Sequence, residues 1–192
     1  MLEGYFKITG IKAIDESLLI VFALIIICTL GPLKLDLTNS VPITLQSLLV
    51  VWFALALGLR IGLTAVVLYL VAGGMGFGVF AGGASGWGHF IGSNGGFLLA
   101  FPVGAFISGS LAKWAFSISI FSKTKFISSA LILLVSQLTI LILGLVWQAA
   151  ISMQTISLGS IINIFMPGLL IKTALGTLAL VFISRAISRI QS

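Results

Sequence analysis

The heptapeptide ALGLRIG at residues 56–62 lies at the junction of two apolar runs that form either one interrupted membrane span or two separate spans. The runs cover residues 43–57 and 61–80, and Gly58, Leu59 and Arg60 separate them. A turn at Arg60 makes them two antiparallel helices. The distribution of basic residues over the rest of the chain favours that turn.

Composition places the whole chain in a membrane. In 192 residues, 59% are hydrophobic and 7% are charged, and the mean hydropathy is +1.28, which excludes a water-soluble domain. Since a spanning helix needs about 20 residues, five or six helices fill the chain. We therefore expect residues 1–192 to form a single membrane-embedded domain.

Six helices satisfy the positive-inside rule better than five. The remaining apolar runs cover residues 17–33, 95–112, 126–150 and 161–183. With a turn at Arg60, only Lys34 lies outside. The basic residues then placed in the cytoplasm are Lys7, Lys12, Arg60, Lys113, Lys123, Lys125, Arg185 and Arg189. The sequence predicts an all-α bundle of six transmembrane helices in the cell membrane, with both termini cytoplasmic.

Lys172 is the strongest functional signal, because it is the one charged residue between Phe126 and Ser184. An ammonium group at the centre of a membrane helix costs about 2.5 to 3.5 kcal/mol, so it usually faces a cavity or a ligand. If Pro167 lies in the first turn of its helix, Lys172 is about 7.5 Å below the helix start and points back toward the outer loops. This arrangement favours an anionic ligand. The alternative is an amine that reaches the outer lipid headgroups.

Glycine is concentrated in residues 73–96, where it supplies 11 of the 24 positions. Such a segment is not a regular spanning helix throughout. Irregular backbone at membrane depth is tolerated only where it is buried in protein or lines a wet cavity, so we expect this segment to cover a binding site. The alternative is a flexible loop whose glycines permit tight helix packing.

The tetrapeptide GASG at residues 83–86 raises an enzymatic alternative, because it resembles the nucleophile motif of rhomboid-type intramembrane serine proteases. A serine nucleophile needs a base within hydrogen-bond reach, and the single histidine, His89, lies in the same loop as Ser85. We expect no catalytic residues. One histidine and four scattered acidic residues do not form a metal-ligand set either.

Three motifs together resemble the BioY family, the biotin-specific substrate-binding S components of energy-coupling-factor (ECF) transporters. They are VPITLQSL at residues 41–48, VFAGG at 79–83 with GSNGGF at 92–97, and Pro167-Gly168 with Lys172. The resemblance implies six helices and capture of biotin, or a similar anionic vitamin, from the outer face. It also implies docking onto a transmembrane coupling subunit driven by two cytoplasmic ATPases, which use the ATP, so no cofactor is expected for this chain.

The resemblance also suggests which residues bind the ligand. Lys172 would pair with the carboxylate of biotin, aromatic side chains would cover the fused ring, and polar side chains would bind the ureido group, while glycines allow close approach of the backbone. The candidate substrate-binding residues are Lys172, Asn94, Ser85, Trp87, Gln46, Tyr69, Phe80, Gly82 and Gly83.

One position departs from the family pattern. BioY proteins carry Pro-Gly-Asp-x-x-Lys, whereas this chain has Leu169 in place of the aspartate. An aspartate there would share a helix face with Lys172 and accept hydrogen bonds. Either another group replaces it, or the ligand differs from biotin, or binding is weaker.

Helix 1 offers a candidate surface for the coupling subunit, the stripe Ala23, Ile27 and Gly31, because small residues let another helix approach closely. The alternative for this stripe is ordinary internal packing. Since the sequence has no ATP-binding motif, active transport requires other chains. A stand-alone facilitator of small solutes is the remaining alternative for the function.

Overall fold

The structure, a computed structural model, describes residues 9–35, 43–117, 122–152 and 158–190. Lys7 and most of two predicted outer loops, residues 36–42 and 153–157, lie outside these ranges. The helices are α1 (Lys12–Leu30), α2 (Gln46–Leu57), α3 (Leu59–Gly74), α4 (Gly88–Ile91), α5 (Gly95–Ser117), α6 (Ser122–Ser152) and α7 (Leu158–Ile190). Two short antiparallel strands, β1 (Lys34–Leu35) and β2 (Ile43–Thr44), pair between α1 and α2.

Four of these helices, α1, α5, α6 and α7, are long and apolar enough to cross a membrane. The other two apolar helices are shorter, with 12 residues in α2 and 16 in α3. At 1.5 Å per residue they measure about 18 and 24 Å, against a hydrocarbon core of about 30 Å. The described part of the chain is therefore a helical membrane bundle in which two helices are shorter than a full span.

The predicted break between α2 and α3 is confirmed. Gly58 alone separates the helices, and its φ of +88° lies in a region that side chains rarely adopt. The chain folds back so closely that Gly62 lies against the backbone of Ala54. Nearby, Arg60 and Lys12 both pair with Glu16, at 3.4 and 3.7 Å. The turn and the start of α1 thus share one end of the bundle.

Helix α2 is the centre of the core although it is shorter than α3. Its residues from Val50 to Leu57 are almost all buried, and it packs on α3, α5, α6 and α7. Ser108 Oγ donates to the Val51 carbonyl at 2.7 Å, and Trp52 Nε1 donates to the Gly176 carbonyl at 2.8 Å. These bonds join α2 to α5 and to α7. They also satisfy polar groups for which lipid offers no hydrogen-bond partners.

The predicted start of the last helix is wrong. Helix α7 begins at Leu158, and Pro167 lies inside it, so Lys172 is 14 residues, or about 21 Å, from the helix start. A proline in a helix interior loses one backbone hydrogen bond, but neighbouring helices compensate for that loss in membrane bundles. The positive end of the helix is consequently too far away to act on a ligand at Lys172.

We expect Gly62→Ala to destabilise the protein. A Cβ atom at residue 62 would lie 2.7 Å from the Ala54 nitrogen, and backbone this close must shift. Overpacking of this kind costs about 1–3 kcal/mol. Thermal unfolding in detergent measures the loss. Gly159→Ala is the matched control, since nothing lies within 4 Å of the Cβ it would add. Equal melting temperatures for the two variants would contradict the close packing of α2 on α3.

Candidate ligand-binding site

A cavity of about 380 Å³ lies where the strands, the start of α2, the glycine-rich segment and helices α5 to α7 meet. This volume is in the range of small-molecule sites. Its apolar wall is formed by Phe80, Ala81, Ala84, Phe97, Leu98, Phe101, Ile140, Leu141, Ile164, Phe165 and Leu169. Its polar residues are Lys34, Thr44, Gln46, Ser47, His89, Asn94, Gln137, Gln148 and Lys172.

The charge of the cavity is one-sided. Lys34 and Lys172 both line it, and within the described ranges no aspartate or glutamate does. Two ammonium groups without a carboxylate produce a positive potential in a partly enclosed space, where opposite charges attract more strongly than in bulk water. The site therefore favours an anion.

Lys172 projects into this cavity from α7. It is half-buried, and its Nζ donates to Ser47 Oγ at 2.8 Å, which connects α7 to the first turn of α2. The amine thus lies inside the bundle, in contrast to the headgroup alternative. One hydrogen bond to a hydroxyl leaves further N–H groups on the ammonium for a ligand.

Gln46 lines the cavity at the start of α2, and a hydrogen bond to Tyr69 fixes its side-chain amide. Its Nε2 donates to the hydroxyl of Tyr69, and that hydroxyl donates to the Val79 carbonyl at 3.2 Å. Tyr69 itself is fully buried and does not line the cavity. The tyrosine therefore positions the amide of Gln46 and links it to the glycine-rich segment.

Phe80 lines the cavity because the chain reverses immediately after it. Its N–H donates to the Ala84 carbonyl at 3.0 Å, across a turn in which Gly82 and Gly83 have φ of +73° and +77°. Its ring meets Tyr69 and Phe90 edge-on, with centroids 5.7 Å apart in each pair. The two glycines therefore shape the turn, and it is their neighbours Ala81 and Ala84 that face the cavity.

We call residues 75–94 the lid. As its glycine content predicts, this segment is not a regular helix. Helix α3 ends at Gly74, although the apolar run continues to residue 80, and turns follow up to α4. Hydrogen bonds tie the lid to the bundle: Gly82 N–H to the Pro32 carbonyl at 2.9 Å, Gly86 N–H to the Gly73 carbonyl at 2.7 Å, and Trp147 Nε1 to the Gly92 carbonyl at 3.0 Å. The lid is therefore anchored to α3, to α6 and to the segment that follows α1.

The structure brings together four of the nine predicted binding residues. Those that line the cavity are Lys172, Asn94, Gln46 and Phe80, and those that do not are Ser85, Trp87, Tyr69, Gly82 and Gly83. Trp87 is 59% exposed and stacks on Phe90 with a centroid distance of 5.3 Å. It covers Gly74 on the outside of the lid instead of contacting the cavity.

The protease alternative gains no geometric support. In the described part of the chain, Ser85 and His89 share no hydrogen bond, and His89 instead meets the edge of Phe80 at 6.3 Å. His89 lines the cavity and is also exposed.

The candidate docking stripe faces inward. Ala23 and Ile27 have no exposed area, and Gly31 is buried, close to the Val79 carbonyl. Side chains without exposed area contact other residues of the chain, so the stripe packs inside the bundle, and its role in docking stays a prediction.

Sequence reasoning missed several polar lining residues. Lys34 served only as a topology marker, and Ser47 lies beside Gln46 in a motif that had already been noted. Gln137 and Gln148 lie in an apolar run, where a polar group, like the amine of Lys172, is costly unless a partner compensates it.

Comparison with known proteins identifies the relatives of this chain. The BioY family model matches residues 7–189. The chain is 34% identical over 111 residues to "Probable biotin transporter BioY" of Pyrococcus horikoshii, and 39% identical over 129 residues to "Biotin transporter BioY2" of Lactococcus lactis. These matches cover 58% and 67% of this chain and 60% and 66% of the relatives' lengths.

The fold has a counterpart among solved structures. The crystal structure of "the S-component for biotin from an ECF-type ABC transporter" superposes with a TM-score of 0.77 at 25% identity. The superposition covers 91% of this chain and 93% of that one. The similarity thus extends over nearly the whole described bundle.

We expect Trp147→Phe to loosen the lid, because it removes the hydrogen bond to the Gly92 carbonyl. The variant keeps an aromatic ring beside Gly96, so the packing there changes little. A net loss of about 1 kcal/mol corresponds to roughly fivefold faster amide exchange. Hydrogen exchange with mass spectrometry of residues 88–96 measures it. Trp52→Phe is the control: it removes the comparable bond to Gly176 and should leave residues 88–96 unchanged. Unaltered exchange in Trp147→Phe would show that this bond does not anchor the lid.

Proposed function

This chain belongs to the BioY family, and from that membership we propose that it is the substrate-capture subunit of an ECF-type transporter and binds biotin from the outer face. The relatives named as biotin transporters and the similar S component support this assignment. The observation that carries it is the positively charged, largely apolar cavity beneath the lid.

The cavity offers a partner for each part of biotin. Biotin has one carboxylate, an apolar fused ring and a neutral ureido group. Lys172 and Lys34 suit the carboxylate, Phe80 and Phe97 suit the ring, and the cavity's amide side chains suit the ureido group. We assign Lys172 to the carboxylate because its amine is already fixed inside the bundle by Ser47.

Charge pairing alone does not supply tight binding. At about 4 Å and an effective dielectric of 20, opposite charges attract by about 4 kcal/mol before desolvation is subtracted. Nanomolar affinity requires about 12 kcal/mol. The remainder comes from burial of the ring and from hydrogen bonds to the ureido group, which is why the apolar wall and the amides matter as much as the lysines.

The positions of the charges support six membrane crossings with the cavity on the outer side. The pairs of Glu16 with Lys12 and Arg60 lie at the start of α1, and Lys34 lines the cavity just beyond its other end. Placing Arg60 in the cytoplasm by the positive-inside rule puts the lid and the cavity outside. In this topology α2 and α3 each cross the bilayer, and both termini are cytoplasmic.

The protein is a multi-pass membrane protein of the cell membrane. We propose that it hands biotin to a transmembrane coupling subunit powered by two cytoplasmic ATPases, and that it is a transport subunit and not an enzyme. The names of its relatives favour this role over a stand-alone facilitator or an intramembrane protease.

Lys172→Met tests the carboxylate partner. The variant keeps an unbranched side chain of similar length without the charge. We expect biotin affinity to fall by about 10- to 100-fold, because the ligand carboxylate loses its ammonium partner; each tenfold change corresponds to about 1.4 kcal/mol. Isothermal titration calorimetry of the detergent-purified protein with biotin measures it.

Lys113→Met is the matched control, because Lys113 is exposed and does not line the cavity. It should leave affinity unchanged. Unchanged binding in Lys172→Met would remove the proposed role of Lys172, and a parent protein that does not bind biotin would refute the ligand.

Single cysteines test the six-span topology in a Cys28→Ser background, since Cys28 is the only native cysteine. In intact cells, a membrane-impermeant maleimide should label Ser85→Cys and should label Arg60→Cys only after the cells are opened. Membrane fractions followed by mass-shift gels provide the readout. Labelling of both positions in intact cells would contradict separate crossings by α2 and α3.

A further inference from the structure

Gln137 lines the cavity and carries a buried acceptor that has no hydrogen-bond partner among the described residues. The residue lies in α6, is only 2% exposed and lines the cavity, and its Oε1 makes no hydrogen bond to any described residue. Buried polar atoms in proteins nearly always have a partner. An unpaired acceptor on a residue that lines a cavity is therefore an atom that a ligand donor can pair with after a small movement of the side chain.

The hydrogen bonds around Gln137 determine which amide atom is left over. Nε2 donates to Thr173 Oγ1 at 3.1 Å and to the Leu133 carbonyl at 3.3 Å. The Thr173 hydroxyl donates in turn to the Leu169 carbonyl at 2.8 Å, so it can only accept from Gln137. Both neighbours require the amide nitrogen. Flipping the side chain would place two acceptors against Oε1, so Oε1 is the free atom.

The surroundings make this acceptor distinctive. Its neighbours on the cavity wall, Ile140, Leu141 and Leu169, have hydrocarbon side chains. The side chain of Leu169 offers no acceptor, and the backbone carbonyl of the same residue is the end of the Gln137–Thr173 hydrogen-bond chain. A neutral amide oxygen in such a patch suits a neutral N–H group, because a further cation there would have no carboxylate among the described lining residues to compensate its charge.

We propose that Gln137 is a specificity-determining residue whose Oε1 accepts one ureido N–H of the bound ligand, while Lys172 holds the carboxylate of that ligand. This inference rests on the proposed function, since the ureido group identifies the ligand as biotin. It assigns to α6 the recognition of the ring, and it gives a defined replacement for the acceptor that is missing at residue 169.

A buried polar atom without a partner does not by itself define a ligand contact. Ser136, the residue next to Gln137, shows this by comparison. Ser136 Oγ is likewise buried without a hydrogen-bond partner among the described residues, but Ser136 does not line the cavity. Ser136→Ala is thus a matched control that removes an unpaired buried oxygen from the same helix.

The experiment combines a side-chain change with a ligand change. Calorimetry compares the parent protein and Gln137→Met for biotin and for its two cyclic carbamate analogues, in each of which an ether oxygen replaces one ureido N–H. We expect Gln137→Met to weaken biotin binding by about 10- to 100-fold, because a ureido N–H loses its partner in an enclosed site. The parent should show a similar loss for one of the two analogues, and the variant should bind that analogue within about threefold of the parent.

The controls separate recognition from structure. Ser136→Ala should bind biotin like the parent, and Thr173→Val, which breaks the internal chain without removing Oε1, should lose at most a few-fold. Gln137→Ala is the second variant if Gln137→Met does not fold. Equal losses for biotin and both analogues in the Gln137 variant, or no loss at all, would overturn the role of Gln137 while leaving biotin binding intact. A parent that does not bind biotin would instead overturn the proposed function and this inference with it.

Discussion

A charged amine inside a membrane bundle must be compensated by the protein, and the arrangement of this structure around Lys172 follows from that requirement. The amine lies in a cavity, donates to Ser47 at 2.8 Å and thereby connects α7 to the start of α2. Because lipid cannot satisfy polar groups, the surrounding amides are held by side chains and carbonyls of neighbouring helices. The short central helix α2 brings these groups together, since it contacts α5, α6 and α7, the long helices that line the cavity.

Polar groups in the core fall into two kinds. Some have all their hydrogen bonds within the protein, such as Ser108 on the Val51 carbonyl and the hydroxyl of Tyr69 between Gln46 and Val79. Others have hydrogen-bonding capacity left over in residues that line the cavity, such as the ammonium of Lys172 and the buried amide oxygen of Gln137. The first kind holds the helices in register. The second kind defines what the cavity can bind.

Much of this organisation could be predicted from the sequence, and the failures have physical causes. The break at Gly58 and the irregular lid were predictable, since glycine there adopts backbone angles that other residues rarely do. The cavity position of Lys172 followed from the cost of a buried charge. The start of α7 did not, because Pro167 suits a helix start and is also tolerated inside a membrane helix. The direction of Trp87 depended on how the lid folds onto Gly74, which composition does not specify.

Helix α1 is fastened at both ends. At its start Glu16 pairs with Arg60 in the turn between α2 and α3, and just beyond its end Pro32 accepts a hydrogen bond from Gly82 in the lid. Between these points it is an uninterrupted helix from Lys12 to Leu30, with much of its length facing outward. A helix held at both ends transmits tilt, so a force on the outward face of α1 is expected to displace the part of the lid that is bonded to Pro32.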